Sequence, residues 1–417
     1  MTNTPLLALS LARRWTLLGL AIFIAYLLTV ALIHVEGRHT AERGGTPLLT
    51  DFTSLYAASL LVRNQAAADL YRPREMYRAS LSAAQAAYDG KLTEKQAQAI
   101  GFHPWMYPPT FILLAAPLAY LPYFVAWATW LALTSIPYLL AMRTILKDQS
   151  FWLIGLAAPP VFFNIMYGQT GFLITGLIVL GLAWLPERPL LAGICIGLAS
   201  VKPHFGILIP LALICGGYWQ TFAAATLTVI GTILLSLLLL GADPWYGFIG
   251  TAVFNLQGFE RDAYTWGAMT TVLSALHQTG LGLAIAWKGQ LAAALIAALI
   301  VCRCWWWSPA RPVQPGLEAA ILCSATLLAV PMAYLYDLML LVPAIAWLWK
   351  DMRERGYRLW ELAGLVAVST GMLGLRYTAS QTGNLAGMLP TILLLAFSVW
   401  RLSMTSDSTP GPTRSAT

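Results

Sequence analysis

YPPTFILLAAPLAYLP, residues 107–122, is the stretch on which the fold turns. Its apolar middle, 109–120, is short and bounded by prolines. A helix that spans a bilayer needs about 20 largely apolar residues. Thirteen apolar runs can be read between Trp15 and Trp400, and charge decides which of them cross. The positive-inside rule places RTILKD (143–148), ERP (187–189), RCWWWSPAR (303–311), KDMRER (350–355) and the tail from Arg401 in the cytoplasm. The threading that satisfies all of these leaves 109–120 uncrossed, as a re-entrant or interfacial segment. It predicts about 12 transmembrane helices, with both termini inside.

Composition agrees with a membrane body. The 417 residues are 58% hydrophobic and 10% charged, where a soluble domain carries about 25% charged residues. The net charge of +7 sits largely in clusters beside apolar runs, as orientation signals do, and implies no nucleic acid. Arg13 and Arg14 precede an apolar run from Trp15 to Ile33, too long for a usual signal peptide and read as a retained first helix. The five cysteines lie in or beside apolar segments, so neither a disulfide framework nor a metal cluster is indicated.

The expected organisation is therefore one all-α polytopic membrane domain over 1–402. Residues 35–107 form a long first outer loop and 242–287 a second. The small, polar stretch 403–417 reads as a disordered cytoplasmic tail. Within the first loop, DFTSLYAASLLVRN (51–64) has helical apolar spacing and reads as an amphipathic helix lying on the membrane. TEKQ (93–96) fits a capping box.

In this threading the polar residues without a packing role gather on the outer side, as a single site would. Asp51 is open to two compatible readings. It is a favoured N-cap for the helix that follows, and a carboxylate is the group needed to deprotonate a sugar hydroxyl. Lys202 and His204 interrupt the apolar run 189–217 around Pro203. They either snorkel to the interface or form a cationic seat for an anionic group such as a lipid phosphate. Gln169, in YGQTG (167–171), is a tight-turn residue or a donor and acceptor for a sugar. Tyr336 and Asp337, in YLYD (334–337), start a helix, where Asp337 is another N-cap candidate. The run HPWMYPP (103–109) falls in the same outer group, while Arg261, Asp262 and Arg376 read equally as solvated loop or as site. There is no DxD in the first loop and no HExxH, CxxC, Walker A or GxGxxG in context, so no metal, nucleotide or other cofactor is expected.

Several blocks, in order, carry a family resemblance. They are DFTSLYAAS (51–59), YPPTFILLAAPLAYLPYFVAWATW (107–130), NIMYGQTGFLITGLIVLGL (164–182), RPLLAGICIGLASVKPHFGILIPLALI (188–214), GADPWYGFIG (241–250), LGLAIAWKGQLAAALIAAL (281–299) and PMAYLYDLMLLVPAIAWL (331–348). The chain resembles glycosyltransferase family 87, the polyprenol-phosphate-sugar-dependent, α-mannosyltransferase-like enzymes of the GT-C superfamily. The resemblance implies a GT-C fold and a hexosyltransferase at the extracytoplasmic face of a bacterial-type plasma membrane. It implies Asp51 as the base for the acceptor hydroxyl, with inversion at the sugar carbon. The partners would be a polyprenyl-phosphate-linked sugar and a lipid or glycan acceptor, among membrane lipids. Lys202 and His204 would stabilise the leaving phosphate. Some members carry a late histidine-bearing segment where this chain has YLYD, which leaves the donor sugar open between mannose and others. The competing readings are a transporter or flippase of lipid-linked glycans, and an O-antigen polymerase or ligase-like enzyme.

Overall fold

The computed structural model describes residues 4–100, 104–261, 264–306, 315–382 and 384–405. His103, Asp262 and the tail beyond Thr405 lie outside the described residues, as does the side chain of Arg376. Among the described residues the chain is helical, with one isolated bridge, Met269 to Tyr334, and no named strand.

Helix α1 (Thr4–Glu42) is longer than the sequence suggests: it continues past residue 35, so the first loop starts later. That loop holds α2 (Phe52–Arg63), α3 (Pro73–Ala87) and α4 (Glu94–Gln98). The Thr93–Gln96 capping box opens α4 as expected, with both reciprocal bonds present. The expectation for 51–64 needs correction. Helix α2 does not lie on a surface: Phe52, Thr53 and every residue from Leu55 to Leu60 are buried. Its small residues Ala57, Ala58 and Ser59 let neighbours close in on several sides, and Ser59 Oγ donates to the Ala115 carbonyl at 2.9 Å.

The decisive run 109–120 forms α5 (Pro109–Ala115) and a 3₁₀ turn, Ala116–Tyr120. Twelve helical residues reach on the order of 18 Å, well short of a bilayer core of about 30 Å. The segment packs beneath α2, in one apolar cluster with α3 and the start of α6 (Tyr123–Ile145).

A π-helical turn, Phe151–Leu156, leads into α7 (Pro159–Tyr167), followed by α8 (Gly171–Trp184). Then come α9 (Pro189–Leu198), α10 (Ile209–Gly216) and α11 (Trp219–Leu240). Gly193 abuts Ala224 and Gly197 abuts Thr228, so α9 and α11 run parallel. The same register puts the turn at Val201 roughly eight residues before the end of α11, about 12 Å below it. The two short runs of 189–217 thus form a hairpin whose tip, bearing Lys202, is inside the helical body.

The second loop carries α12 (Asp243–Glu260) and α13 (Val272–Gln278). It ends at 282, earlier than residue 287, because α14 begins there (Leu283–Trp305). The chain finishes with α15 (Pro315–Ala329), α16 (Leu341–Arg355), α17 (Leu359–Thr382) and α18 (Leu389–Thr405), the last running past residue 402.

Among the described residues, five segments are long and apolar enough to cross a membrane: Ala12–Glu42, Tyr123–Ile145, Trp219–Leu240, Leu283–Trp305 and Ala386–Met404. Shorter apolar helices pack among them. The protein is an all-helical membrane protein.

Long-range contacts define two ends of the bundle. At one, Trp15 stacks on Trp349, Thr16 bonds Gln149, and Arg353 pairs with Asp148. Arg143 lies over the Phe151 ring, 3.8 Å from its centroid. Arg401 reaches Asp351 and Glu361, tying α16, α17 and α18 together. The other end gathers the residues of the cleft.

Candidate active site

Asp51 stands at the N-cap position of α2, yet its side chain makes no cap bond. Its backbone is already helical (φ −61°, ψ −21°), which turns the carboxylate away from the first-turn amides. The carboxylate instead accepts a hydrogen bond from Gln169 Nε2 at 2.8 Å.

Gln169 is brought there by a close approach of backbones. Gly168 ends α7 in the left-handed region (φ +64°), the usual C-terminal geometry for glycine. A Cβ at 168 would come 2.7 Å from Phe52 Cβ and 2.8 Å from Trp127 Nε1. Only glycine fits, so the end of α7 sits against the start of α2. The Gly168 carbonyl accepts from Trp130 Nε1 at 3.1 Å, which pins the turn to α6.

The amide of Gln169 has one orientation consistent with its neighbours. Its Oε1 accepts from the Tyr107 hydroxyl (2.9 Å) and from the Thr170 N–H (3.2 Å), so its NH₂ points at Asp51. Tyr107 is itself placed by Tyr71, whose hydroxyl donates to the Tyr107 carbonyl at 2.6 Å. Burial pushes the Tyr107 and Tyr334 phenols up, and the charges of Asp51 and Asp337 push the same way. Both therefore remain protonated at ordinary pH. The chain Tyr107–Gln169–Asp51 is a relay of fixed direction ending on a carboxylate.

These groups line a cleft of about 820 Å³, within the usual range for a small-molecule site of roughly 300–1,000 Å³. Asp51, Ser54, Tyr107 and Gln169 contribute from the α2 side, and Gln257, Arg261, Tyr264 and Thr265 from α12 and the loop after it. Tyr334 and Tyr336 complete it, their rings stacked at 5.7 Å. The α12 side is joined to this tyrosine segment by the Met269–Tyr334 bridge and by Thr270 N–H donating to the Ala333 carbonyl at 2.8 Å.

Lys202, Asp337 and His204 are placed differently from the other sequence-chosen residues. Lys202 pairs with Asp337 in the interior, both side chains buried. Asp337 is not the N-cap expected from the sequence: Tyr334 holds that position, and Asp337, three residues on, accepts the Tyr334 N–H at 2.9 Å in the manner of a capping box. Lys202 Nζ is 5.3 Å from the centre of the Tyr336 ring. The pair lies behind the tyrosines rather than among the cleft-lining side chains, and His204 is likewise not among them. Sequence reasoning missed Ser54, Gln257, Tyr264 and Thr265. The second loop was read without a helix, although Asp243-Pro244 at the start of α12 is a helix-start signal. Among the described residues no group of three or more His, Cys, Asp or Glu is placed to hold a metal, and the five cysteines are free thiols.

An all-helical membrane body with a carboxylate-bearing cleft at one end is the frame of a membrane enzyme or carrier. Residues 105–331, more than half the chain, match glycosyltransferase family 87, and the chain belongs to that family. No curated protein and no solved structure matches it. The protein is therefore a membrane glycosyltransferase, acting on a sugar donor and an acceptor.

If Gln169 orients the carboxylate, Gln169→Leu should lower kcat by about tenfold, the value of one hydrogen bond to a charged group. The KM should be little changed, as measured by steady-state transfer.

Proposed function

We propose that this enzyme is a hexosyltransferase that takes a sugar from a polyprenyl-phosphate donor, with mannose the first candidate. The acceptor is a hydroxyl of a lipid or glycan at the extracytoplasmic face of a bacterial-type plasma membrane. The observation that carries this reading is the oriented carboxylate of Asp51 in a cleft of about 820 Å³ that mixes apolar side chains with polar ones, room for a sugar and part of a lipid chain. In the reaction, Asp51 takes the proton of the acceptor hydroxyl as its oxygen attacks the sugar C1. The bond from C1 to the phosphate oxygen breaks, its electron pair leaves with the polyprenyl phosphate, and the anomeric centre inverts. Asp51 then releases its proton to water.

Support for the side comes from charge. Arg143, Arg353, Arg355 and Arg401 gather at the end of the bundle opposite the cleft, along with the α1 segment after Arg13 and Arg14. By the positive-inside rule this distribution supports a cleft on the outer side. A count of twelve crossings includes α9 and α10, but their hairpin tip stops about 12 Å below the end of α11, as a re-entrant pair would.

The test compares donor classes. Purified enzyme in lipid is given polyprenyl-phosphate-linked labelled hexoses or the corresponding nucleotide sugars, with a membrane lipid extract as acceptor, with and without EDTA. Transfer is expected from a prenyl-phosphate donor, insensitive to EDTA. Transfer from nucleotide sugars alone would sink the reading.

A further inference from the structure

We infer that Arg261, at the end of α12, is the seat of the donor's phosphate. This rests on the proposed use of a prenyl-phosphate donor and names the residue that would recognise it. By sequence, Lys202 and His204 were the candidates for that task. The structure removes Lys202 from it: its ammonium is committed to Asp337 in a buried ion pair behind Tyr336. Breaking such a pair to serve a ligand would leave a carboxylate buried without its counter-charge. His204 is not among the cleft-lining residues.

Among the described residues that line the cleft, Asp51 is the one acid and Arg261 the one base. They come from different elements, Asp51 at the start of α2 and Arg261 after α12. Gln257, Tyr264 and Thr265 line the cleft beside Arg261 and can donate further hydrogen bonds to phosphate oxygens. A phosphate beside the Asp51 carboxylate would be repelled, whereas a guanidinium binds phosphate through paired N–H donors. Charge therefore gives the cleft a direction: acceptor hydroxyl at Asp51, sugar between, leaving phosphate at Arg261. As the bond to C1 breaks, the phosphate gains negative charge, and Arg261 stabilises the transition state more than the bound donor.

The experiment is equilibrium binding of farnesyl phosphate and of farnesol to the purified full-length protein. Wild type, Arg261→Gln, Arg261→Lys and Asp51→Asn are compared. Wild type is expected to prefer the phosphate over the alcohol by roughly 10- to 100-fold, as a charged hydrogen-bonding contact gives. Arg261→Gln should lose that preference with farnesol binding unchanged, Arg261→Lys should keep part of it, and Asp51→Asn should keep it all. An Arg261→Gln protein that prefers the phosphate as strongly as wild type overturns the assignment while leaving the donor class standing. A wild type with no preference overturns both.

Discussion

Asp51→Asn should reduce sugar transfer by roughly 10²- to 10⁴-fold, the usual contribution of a general base, with no loss of thermal stability. The two halves of this expectation have separate physical grounds. The Asp51 side chain makes no cap bond, so replacing it takes no cap from α2. Asparagine also offers an oxygen to Gln169 Nε2 in place of the carboxylate, so the link between α2 and the 167–171 turn survives. What it lacks is the ability to take a proton. Thermal unfolding in detergent and initial transfer rates, measured on the same preparation, separate the two. A variant with normal melting and near-normal transfer would return Asp51 to a purely structural role.

Lys202→Met should be the most destabilising single change near the cleft, costing about 3–5 kcal/mol, as removing one partner of a buried ion pair does. Both side chains are buried, so Asp337 would be left as a desolvated carboxylate without its counter-charge. The effect should pass to the cleft, because Asp337 also holds the Tyr334 N–H at the start of the segment bearing Tyr336. Adding Asp337→Asn should recover most of the loss. The asparagine oxygen still accepts from Tyr334, and no net charge is left inside. The check is a thermal melt of both single variants and the double. A Lys202→Met protein that melts like wild type would contradict the buried pairing.

The sequence made some of this legible and hid the rest for identifiable reasons. Proline spacing and basic clusters were enough to mark 109–120 as too short to cross, since length and charge are local properties. The amphipathic pattern of 51–64 was real but its meaning was not. A helix with an apolar face and small residues elsewhere suits a membrane surface or a crowded interior equally, and the packing of α5 beneath α2 decides. Asp51 and Gln169 could each be picked out as odd polar residues, but their bond joins positions 118 residues apart and depends on Gly168 fitting against Phe52. Lys202 and Asp337 were each visible as charges near apolar runs. That they neutralise one another, 135 residues apart, is a product of the hairpin's depth. Arg261 could not be told from a solvated loop residue because its meaning comes from the wall opposite it.

The central claim is that sugar transfer takes place in the cleft between α2 and α12. It is tested most directly by placing a cysteine at Gln257, an exposed cleft-lining position, and treating the protein with a small maleimide. The five native cysteines are intermediate or buried in exposure, and wild type treated in the same way is the control. The account expects Gln257→Cys to transfer before modification, to lose transfer on modification, and to be protected by prenyl-phosphate hexose. A fully modified Cys-substituted enzyme that transfers sugar at its unmodified rate would place the reaction elsewhere.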